Sequence, residues 1–512
     1  MLNTRSALPL HGTAATRALE RATAAGLPEF ALMARAGLAV AQLALALAPH
    51  ARRIWIACGP GNNGGDGLEA ASHLQRWGLH PCVTWLGSET RLPADAALAL
   101  SHARAAGVPF GDAPPDDLGP LDLGIDALLG IGASRAPTGS MAQWLEQLRN
   151  GAAPLLAVDI PSGLDADTGA LHADNPTTKS LNAGRARHAP RHTLSLLTLK
   201  PGLFTAHGRD VCGTVWFDDL GVRSPSAPPD AWLSAAPTPR IRPHASHKGS
   251  FGDVAVVGGQ DDPGHGTSMM GAALLAATAA LHAGAGRVYV SLLGAAVPRL
   301  SGRQPELMFR DPGALPLEQL TVVCGCGGGD AVRAPLPAIL QHAAKLVLDA
   351  DALNAVATDP ALQSALASRA QHGQATILTP HPLEAARLLG TNAQAVQSDR
   401  LRAAHVLAER FGCVVVLKGS GSVIAAPGET PHINPSGNAR LATAGTGDVL
   451  AGLTGARLAS GADAFEAACA AVFEHGALAD HWPDDRTLTA GTLAERLMPA
   501  GGTAQSALKS GT

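Results

Sequence analysis

Ile54-Trp-Ile-Ala-Cys-Gly-Pro-Gly-Asn-Asn-Gly-Gly-Asp-Gly67 is an apolar run that ends in a glycine-rich turn, and Leu68–Trp77 behind it has the composition of a helix. A strand, a glycine turn and a helix in that order aim bare backbone N–H groups at an anion. Gly59-x-Gly61-x-x-Gly64 also matches the dinucleotide fingerprint, in the strand-before, helix-after context that it requires. Two residues argue against an ordinary dehydrogenase. Asp66 would put a carboxylate at the helix start, where a pyrophosphate wants positive potential, and only Glu89, late in position, could hold a ribose. Asn62 and Asn63 supply amide oxygens and N–H donors suited to a ribose, a carboxamide or a hard cation.

Outward from this turn, Cys82–Leu86, Leu121–Leu129 and Leu155–Ile160 are further short apolar runs, separated by helix-forming stretches. That alternation predicts a parallel sheet with right-handed crossovers. Asp126-Ala-Leu-Leu-Gly-Ile-Gly132 and Val158-Asp-Ile-Pro-Ser-Gly-Leu-Asp165 each leave such a run, so Asp126, Asp159 and Ser162 should gather with Asp66 at the carboxyl edge of the sheet. Open α/β sheets bind ligands there. The alternative for any single one of these aspartates is a helix cap.

The second half repeats the alternation with Val254–Val257, Val288–Val290, Thr321–Cys324, Leu346–Leu348, Thr376–Leu378 and Val414–Leu417. Its strongest signal is Asn434-Pro-Ser-Gly-Asn438 followed by Ala444-Gly-Thr-Gly-Asp448 and a predicted helix over Val449–Leu458. Gly445, Thr446 and Gly447 place backbone N–H groups at a helix start, a phosphate cradle, and Asp448 stands beside it as a base or, alternatively, as a cap. Leu417-Lys-Gly-Ser-Gly-Ser422 adds a cation and a flexible backbone to hold nucleotide phosphates. Between the halves, Arg223–Arg242 carries Pro225, Pro228, Pro229, Pro237 and Pro239, which reads as an extended linker, and Pro499–Thr512 reads as a frayed tail.

Composition narrows the partners. The 512 residues are 46% apolar but only 3% aromatic, so Ala, Leu and Val must fill the cores. A formal charge of −4 without a Lys/Arg block gives no footprint for nucleic acid or an anionic membrane. The seven cysteines, Cys58, Cys82, Cys212, Cys324, Cys326, Cys413 and Cys469, are odd in number and scattered, which fits no disulfide framework. Cys324-Gly-Cys326 lacks a second ligand pair at zinc spacing and reads as buried small hydrophobes. With no apolar leader core, the expected location is the cytoplasm.

Taken together, Cys58–Gly67, Asp126–Gly130, Val158–Gly163 and Leu32-Met-Ala-Arg-Ala-Gly37 resemble the NAD(P)H-hydrate epimerase family. That resemblance implies a Rossmann-like parallel-sheet domain over residues 1–222, with the hydrated nucleotide held by Asn62, Asn63, Gly64, Gly65, Asp66, by the loop Gly130, Ile131, Gly132, Ala133, Ser134, Arg135, Ala136, and by Asp159, and with K⁺ on Asn63, Asp126 and Ser162. Asp159 is the candidate acid/base. The chain fits the pattern poorly over Pro176–Arg191 and resumes it at Lys200-Pro-Gly202.

The pairing of the Lys418 turn with Gly-Thr-Gly-Asp resembles the ribokinase-like superfamily. His247-Lys-Gly249, Gly271–Ala276, Leu348–Asn354, Leu378-Thr-Pro-His-Pro382 and Asn434–Asn438 are similar to the ADP-dependent NAD(P)H-hydrate dehydratases within it. This implies a ribokinase-like α/β domain over 243–502, after a linker at 223–242 and before a disordered tail at 503–512. Ala272, Gly327, His381 and Asp448 would contact the hydrate, with Asp448 catalytic, and Lys418, Gly419, Ser420, Gly421, Ser422 and Gly447 would hold the nucleotide. ADP is the implied co-substrate, with Mg²⁺ on its phosphates. Cys326 and Gly328 stand where Pro and Leu are usual, and Ala444 where Gly is usual. Expected partners are these small molecules and further copies of the chain, with neither nucleic acid nor membrane. The rival reading is a small-molecule kinase of the ribokinase type fused to a nucleotide-binding sensor.

Overall fold

The computed structural model describes residues 6–133, 135–171, 189–222, 228–239, 241–262, 264–294 and 304–499. Ser134, most of Pro176–Arg191 and the whole of 503–512 lie outside them. The chain divides into two compact units, with the boundary between Ala231 and Trp232.

In the first unit seven strands lie in the order Phe110–Gly111, Pro81–Trp85, Ile54–Cys58, Leu123–Ala127, Leu155–Val158, Arg191–Leu196, Thr214–Asp218. Neighbouring strands all pair in parallel. The chain winds one way from Ile54–Cys58 and then returns to add Leu123–Ala127 on its other side, so the two loops that follow these strands diverge. This is the switch point at which a Rossmann-like sheet opens a crevice.

The helix after the first of these strands is Asn62–Arg76, not Leu68–Trp77. The Asn-Asn-Gly-Gly-Asp-Gly run therefore forms its first turns instead of a loop. Glycine normally weakens a helix by roughly 0.5–1 kcal/mol relative to alanine, but here close packing requires it. A Cβ on Gly64 would stand 2.1 Å from the Gly59 carbonyl oxygen, one on Gly65 2.8 Å from Met33 Cε, and one on Gly67 2.6 Å from Ala127 Cβ.

In the second unit a sheet runs through Ala231–Leu233, His432–Ile433, Val423–Ala425, Val414–Leu417, Thr376–Leu378, Lys345–Leu348, Thr321–Cys324, Asp253–Gly258, Arg287–Leu292 and Met308–Phe309. From Val414–Leu417 to Met308–Phe309 pairing is parallel, whereas Val423–Ala425 pairs antiparallel with both of its neighbours. Helices cover both faces, so the strands alternate between two cores: Val254, Val256, Val323 and Val347 enter one, and Ala255, Val257, Val322 and Leu346 the other.

The proline-rich segment is not linker throughout. Its proline-free Ala231–Leu233 keeps the N–H groups that a strand needs and pairs parallel with His432–Ile433. Among the described residues no helix is long and apolar enough to cross a membrane.

Candidate active sites

A cavity of about 840 Å³ opens at the switch point of the first unit. Asn62, Asn63, Asp66, Gly130, Ile131, Gly132, Ala133 and Asp159 line it, and so do Arg17, Glu20 and Lys200. Gly64 and Gly65 instead face packed backbone and the Met33–Ala96 contact, as spacers that bring the helix close to the sheet. Arg135 and Ala136 do not line the cavity.

Asp159 follows the Leu155–Val158 strand with φ +66°, a conformation uncommon outside glycine that points to a functional constraint. Its Oδ1 accepts from the Lys200 ammonium and, at 3.3 Å, from the Leu196 N–H. Lys200 is fully buried and also donates to the carbonyls of Leu196 (2.7 Å) and Thr198 (2.9 Å). Asp66 faces the same space. Burial, and then the negative charges of Asp159 and Glu20, push its pKa well above the ordinary value. Glu20 is raised by burial and then by Asp159. The cavity thus sets a carboxyl with a raised pKa opposite one that is paired with a lysine.

Asp126 and Ser162 are buried below this floor. The Ser162 hydroxyl donates to Asp126 Oδ1 at 2.5 Å and its N–H donates to Oδ2 at 3.0 Å. The Leu129 N–H donates to Ser162 Oγ at 2.9 Å. Asn63 packs beside Gly130, whose Cβ would stand 3.2 Å from Asn63 Oδ1, and the buried Asn63 Nδ2 has no hydrogen-bond partner.

In the second unit four adjacent parallel strands deliver the polar groups from their carboxyl ends. Cys326 follows Thr321–Cys324, Asp349 follows Lys345–Leu348, Thr379 follows Thr376–Leu378, and Lys418 follows Val414–Leu417. Lys418 Nζ donates to Asp349 Oδ1 at 2.6 Å, and Thr379 Oγ1 donates to the same oxygen at 2.8 Å. Burial works against the Lys418 charge, but Asp349 and Glu384 outweigh it and its pKa is raised.

Lys418–Ser422 forms the connection between the antiparallel strands Val414–Leu417 and Val423–Ala425. The buried Arg400 guanidinium braces it from below through the carbonyls of Leu417 (3.1 Å) and Lys418 (3.2 Å).

The Gly-Thr-Gly turn opens the helix Thr446–Ala459, with Gly445 at φ +90°. A Cβ on Gly447 would stand 3.5 Å from Lys418 Nζ, so the two predicted phosphate elements do meet. Asp448 lies in the first turn of this helix, and burial, with Asp349 next, pushes its pKa up to about 6. Ala272 and Gly327 also meet, a Cβ on Gly327 lying 2.8 Å from Ala272 Cβ. Any ligand contact at Gly327 therefore comes from its backbone.

His381 is placed as a helix cap. Its Nδ1 accepts from the N–H groups of Leu383 and Glu384 at 3.1 and 3.3 Å, and Nε2 lies 3.2 Å from Glu384 Oε1. The half-exposed ring leaves only an edge for a ligand.

Sequence reasoning missed Arg17, Glu20 and Lys200 in the first site and the roles of Asp349, Glu384 and Cys326 in the second. Lys200 and Asp349 lie in motifs that carried the family resemblance, which was a usable signal. Arg17 and Glu20 come from a helix distant in the chain and had none.

Both units set charged groups and open backbone at the carboxyl ends of parallel strands, one with an acid/base cavity and one with a phosphate cradle, which defines a two-domain enzyme of nucleotide chemistry. A family model described as YjeF-related protein N-terminus matches residues 29–202, and one described as NAD(P)H-hydrate dehydratase matches residues 254–500. The bifunctional NAD(P)H-hydrate repair enzyme Nnr of Escherichia coli (strain K12) is 37% identical over 487 residues, covering 90% of this chain and 87% of that one. Its namesake from Coxiella burnetii is 34% identical over 499 residues, covering 94% and 96%. The ADP-dependent (S)-NAD(P)H-hydrate dehydratase of Neisseria meningitidis serogroup B is 43% identical over 268 residues, covering 51% of this chain and 87% of its own. The chain belongs to the family of bifunctional NAD(P)H-hydrate repair enzymes.

Proposed function

We propose that the protein restores hydrated NADH and NADPH: the first unit interconverts the R and S hydrates, and the second dehydrates the S form at the expense of ADP, giving NAD(P)H, AMP and phosphate. The observation that carries this reading is Asp448, a carboxylate with a pKa near 6 in the first turn of a helix whose Gly447 faces Lys418. A base and a phosphate cradle share one site.

The hydrate carries its hydroxyl on the carbon next to the ring nitrogen. Reversible C–N or C–O cleavage at that hemiaminal centre exchanges the epimers, and either route needs an acid and a base. Asp159, fixed by Lys200, is the group to take and return the proton, and Asp66, whose pKa burial raises, orients the ligand from the same cavity. Arg17 and Lys200 add positive charge to a cavity that must accept an anionic nucleotide.

Potassium would be held by Asn63, Asp126 and Ser162. All three offer oxygen, and the partnerless Asn63 nitrogen suits an amide that reverses to present its oxygen to a cation. Its charge would support the negative nucleotide. Epimer exchange in potassium is expected to outrun that in a tetraalkylammonium salt.

In the second unit hydroxide is a poor leaving group and phosphate a good one. Asp448 takes the proton of the substrate hydroxyl as its oxygen attacks the β-phosphorus of ADP and AMP departs. Loss of phosphate and of a proton from the neighbouring carbon then restores the double bond. Lys418 and the backbone of the 418–422 and 445–447 turns hold the phosphates, with which Mg²⁺ is expected to arrive.

The test incubates the purified protein with mixed hydrate epimers and ADP while following recovery of dihydronicotinamide absorbance and AMP. Complete recovery with equimolar AMP and phosphate is expected. A phosphorylated small molecule in place of AMP plus phosphate would establish a kinase instead.

A further inference from the structure

Cys326 is fully buried, and its Sγ lies in one cluster with carboxylate oxygens of Asp349 and Asp448, all within 4.8 Å of one another. Sγ is 3.9 Å from Asp349 Oδ2, the oxygen not used by Lys418 or Thr379. Two carboxylates this close repel, and the lysine neutralises one of them from its far side. A donor between them lowers the remaining cost, and a thiol can be that donor only while it keeps its proton. Burial, with the charges of Asp448 and Asp349 next, holds the Cys326 thiol well above its usual range, so the S–H persists at every working pH.

We propose that Cys326 is a positioning residue for the base of the second unit, its S–H bridging Asp349 and Asp448 so that Asp448 is ionised and aimed when the substrate hydroxyl arrives. This rests on the dehydratase reading of the site. The other charged or titratable groups that face Asp448 are Lys418, which favours its ionised form, and Asp349 and Asp351, which oppose it. His475, on the packed helix Ala464–Asp480, bonds the Thr446 carbonyl oxygen at 3.0 Å, and burial lowers its pKa to about 4, so it stays neutral. With the thiol removed, Lys418 alone is left to oppose the repulsion by Asp349, and the Asp448 proton binds more tightly. The acid limb of dehydration must then move to higher pH.

The test compares Cys326→Val, which fills the space without a donor, with Cys326→Ser, which keeps a donor; Cys326→Ala serves if the bulkier valine does not fold. Dehydration is followed from pH 5 to 9. Asp448 is also titrated directly by infrared pH-difference spectra, with Asp448→Asn assigning the band. The valine variant is expected to lose about three- to tenfold in kcat at pH 6, to approach the wild-type rate at pH 8.5 and to keep its KM for ADP, while serine restores the wild-type profile. Unchanged acid limbs and carboxyl titrations in folded valine and alanine variants would overturn the proposal. So would a loss equal at all pH values and not rescued by serine. A wild-type protein without ADP-dependent dehydration would refute the functional reading instead, and the infrared titration would still decide the role of the thiol.

Discussion

Lys418 and Asp349, which follow the strands on either side of Thr376–Leu378, are joined across 2.6 Å in a site where Asp349 is only 2% exposed. The pair fixes the ammonium beside Gly447, and it does so with a carboxylate that would be costly to bury alone. One contact therefore serves both phosphate binding and the stability of the second unit.

Breaking that pair from the lysine side strands the aspartate. Lys418→Met is expected to lower the stability of the second unit by about 3–5 kcal/mol in urea denaturation and to abolish measurable ADP binding. Adding Asp349→Asn should recover most of the stability and none of the binding. A double variant as unstable as the single one would mean that the lysine stabilises through its stem packing and not through the pair.

Asp448→Asn separates activity from stability. Removing the base should cost dehydration about 10²–10⁴-fold with ADP affinity little changed and epimer exchange untouched. The folded-state pKa near 6 lies above the ordinary 3.8, so the neutral form is the one that folding favours. Its contribution is complete below about pH 3.8 and is lost as pH rises through about 6, leaving a net cost for the ionised group of at most about 3 kcal/mol at pH 8. The variant should therefore melt higher than wild type at pH 8 and equally at pH 3.5. The opposite ordering would show that Asp448 is held by favourable contacts and is a cap.

In the first unit, Asp159→Asn should reduce epimer exchange by about 10²–10⁴-fold, because asparagine accepts the same backbone conformation but no proton. Asp66 is different, since a raised pKa favours the form of its carboxyl that donates a hydrogen bond. If that donation only orients the ligand, Asp66→Asn should stay within about tenfold of wild type and Asp66→Ala fall further. Equal losses in the asparagine and alanine variants would assign Asp66 the proton-transfer step as well.

We expect each unit to fold and keep its own activity when expressed alone, provided the cut respects the strand at Ala231–Leu233. Trp232 N–H donates to the Pro431 carbonyl at 2.8 Å and Ser234 N–H to that of Ile433 at 2.9 Å, and Leu233 is 2% exposed. A second unit begun at residue 241 should be less stable than one begun at residue 228 by about 2 kcal/mol or more. Identical melting of the two would show that this strand is dispensable.

Much of the fold was legible from the sequence. Ile54–Cys58, Thr321–Cys324, Thr376–Leu378 and Val414–Leu417 are strands with the bounds that their apolar runs predict, because each is flanked by Gly, Pro, Lys or another residue that ends a buried run. Arg191–Leu196 escaped notice because its Thr193 and Ser195 are polar, and only burial with partners at the Cys212 and Thr198 carbonyls makes them strand residues. The helix start at Asn62 was hidden for the converse reason. Local propensity opposes helix in Asn-Asn-Gly-Gly-Asp-Gly, and packing against Gly59, Met33 and Ala127 overrides it.

By itself the sequence determined the alternation that makes both units α/β, the turns that carry backbone N–H groups, and the acidic residues placed at strand ends, since each depends on neighbours within a few positions. Only the tertiary structure decided which of these groups act together. Lys200 reaches Asp159 from the next strand, Lys418 reaches Asp349 across the end of Thr376–Leu378, Cys326 settles beside Asp448 of the helix Thr446–Ala459, and the His381 imidazole is largely engaged by its own helix. Proximity between residues far apart in the chain is set by sheet order and register. Those depend on the packing of the whole core, which no single motif contains.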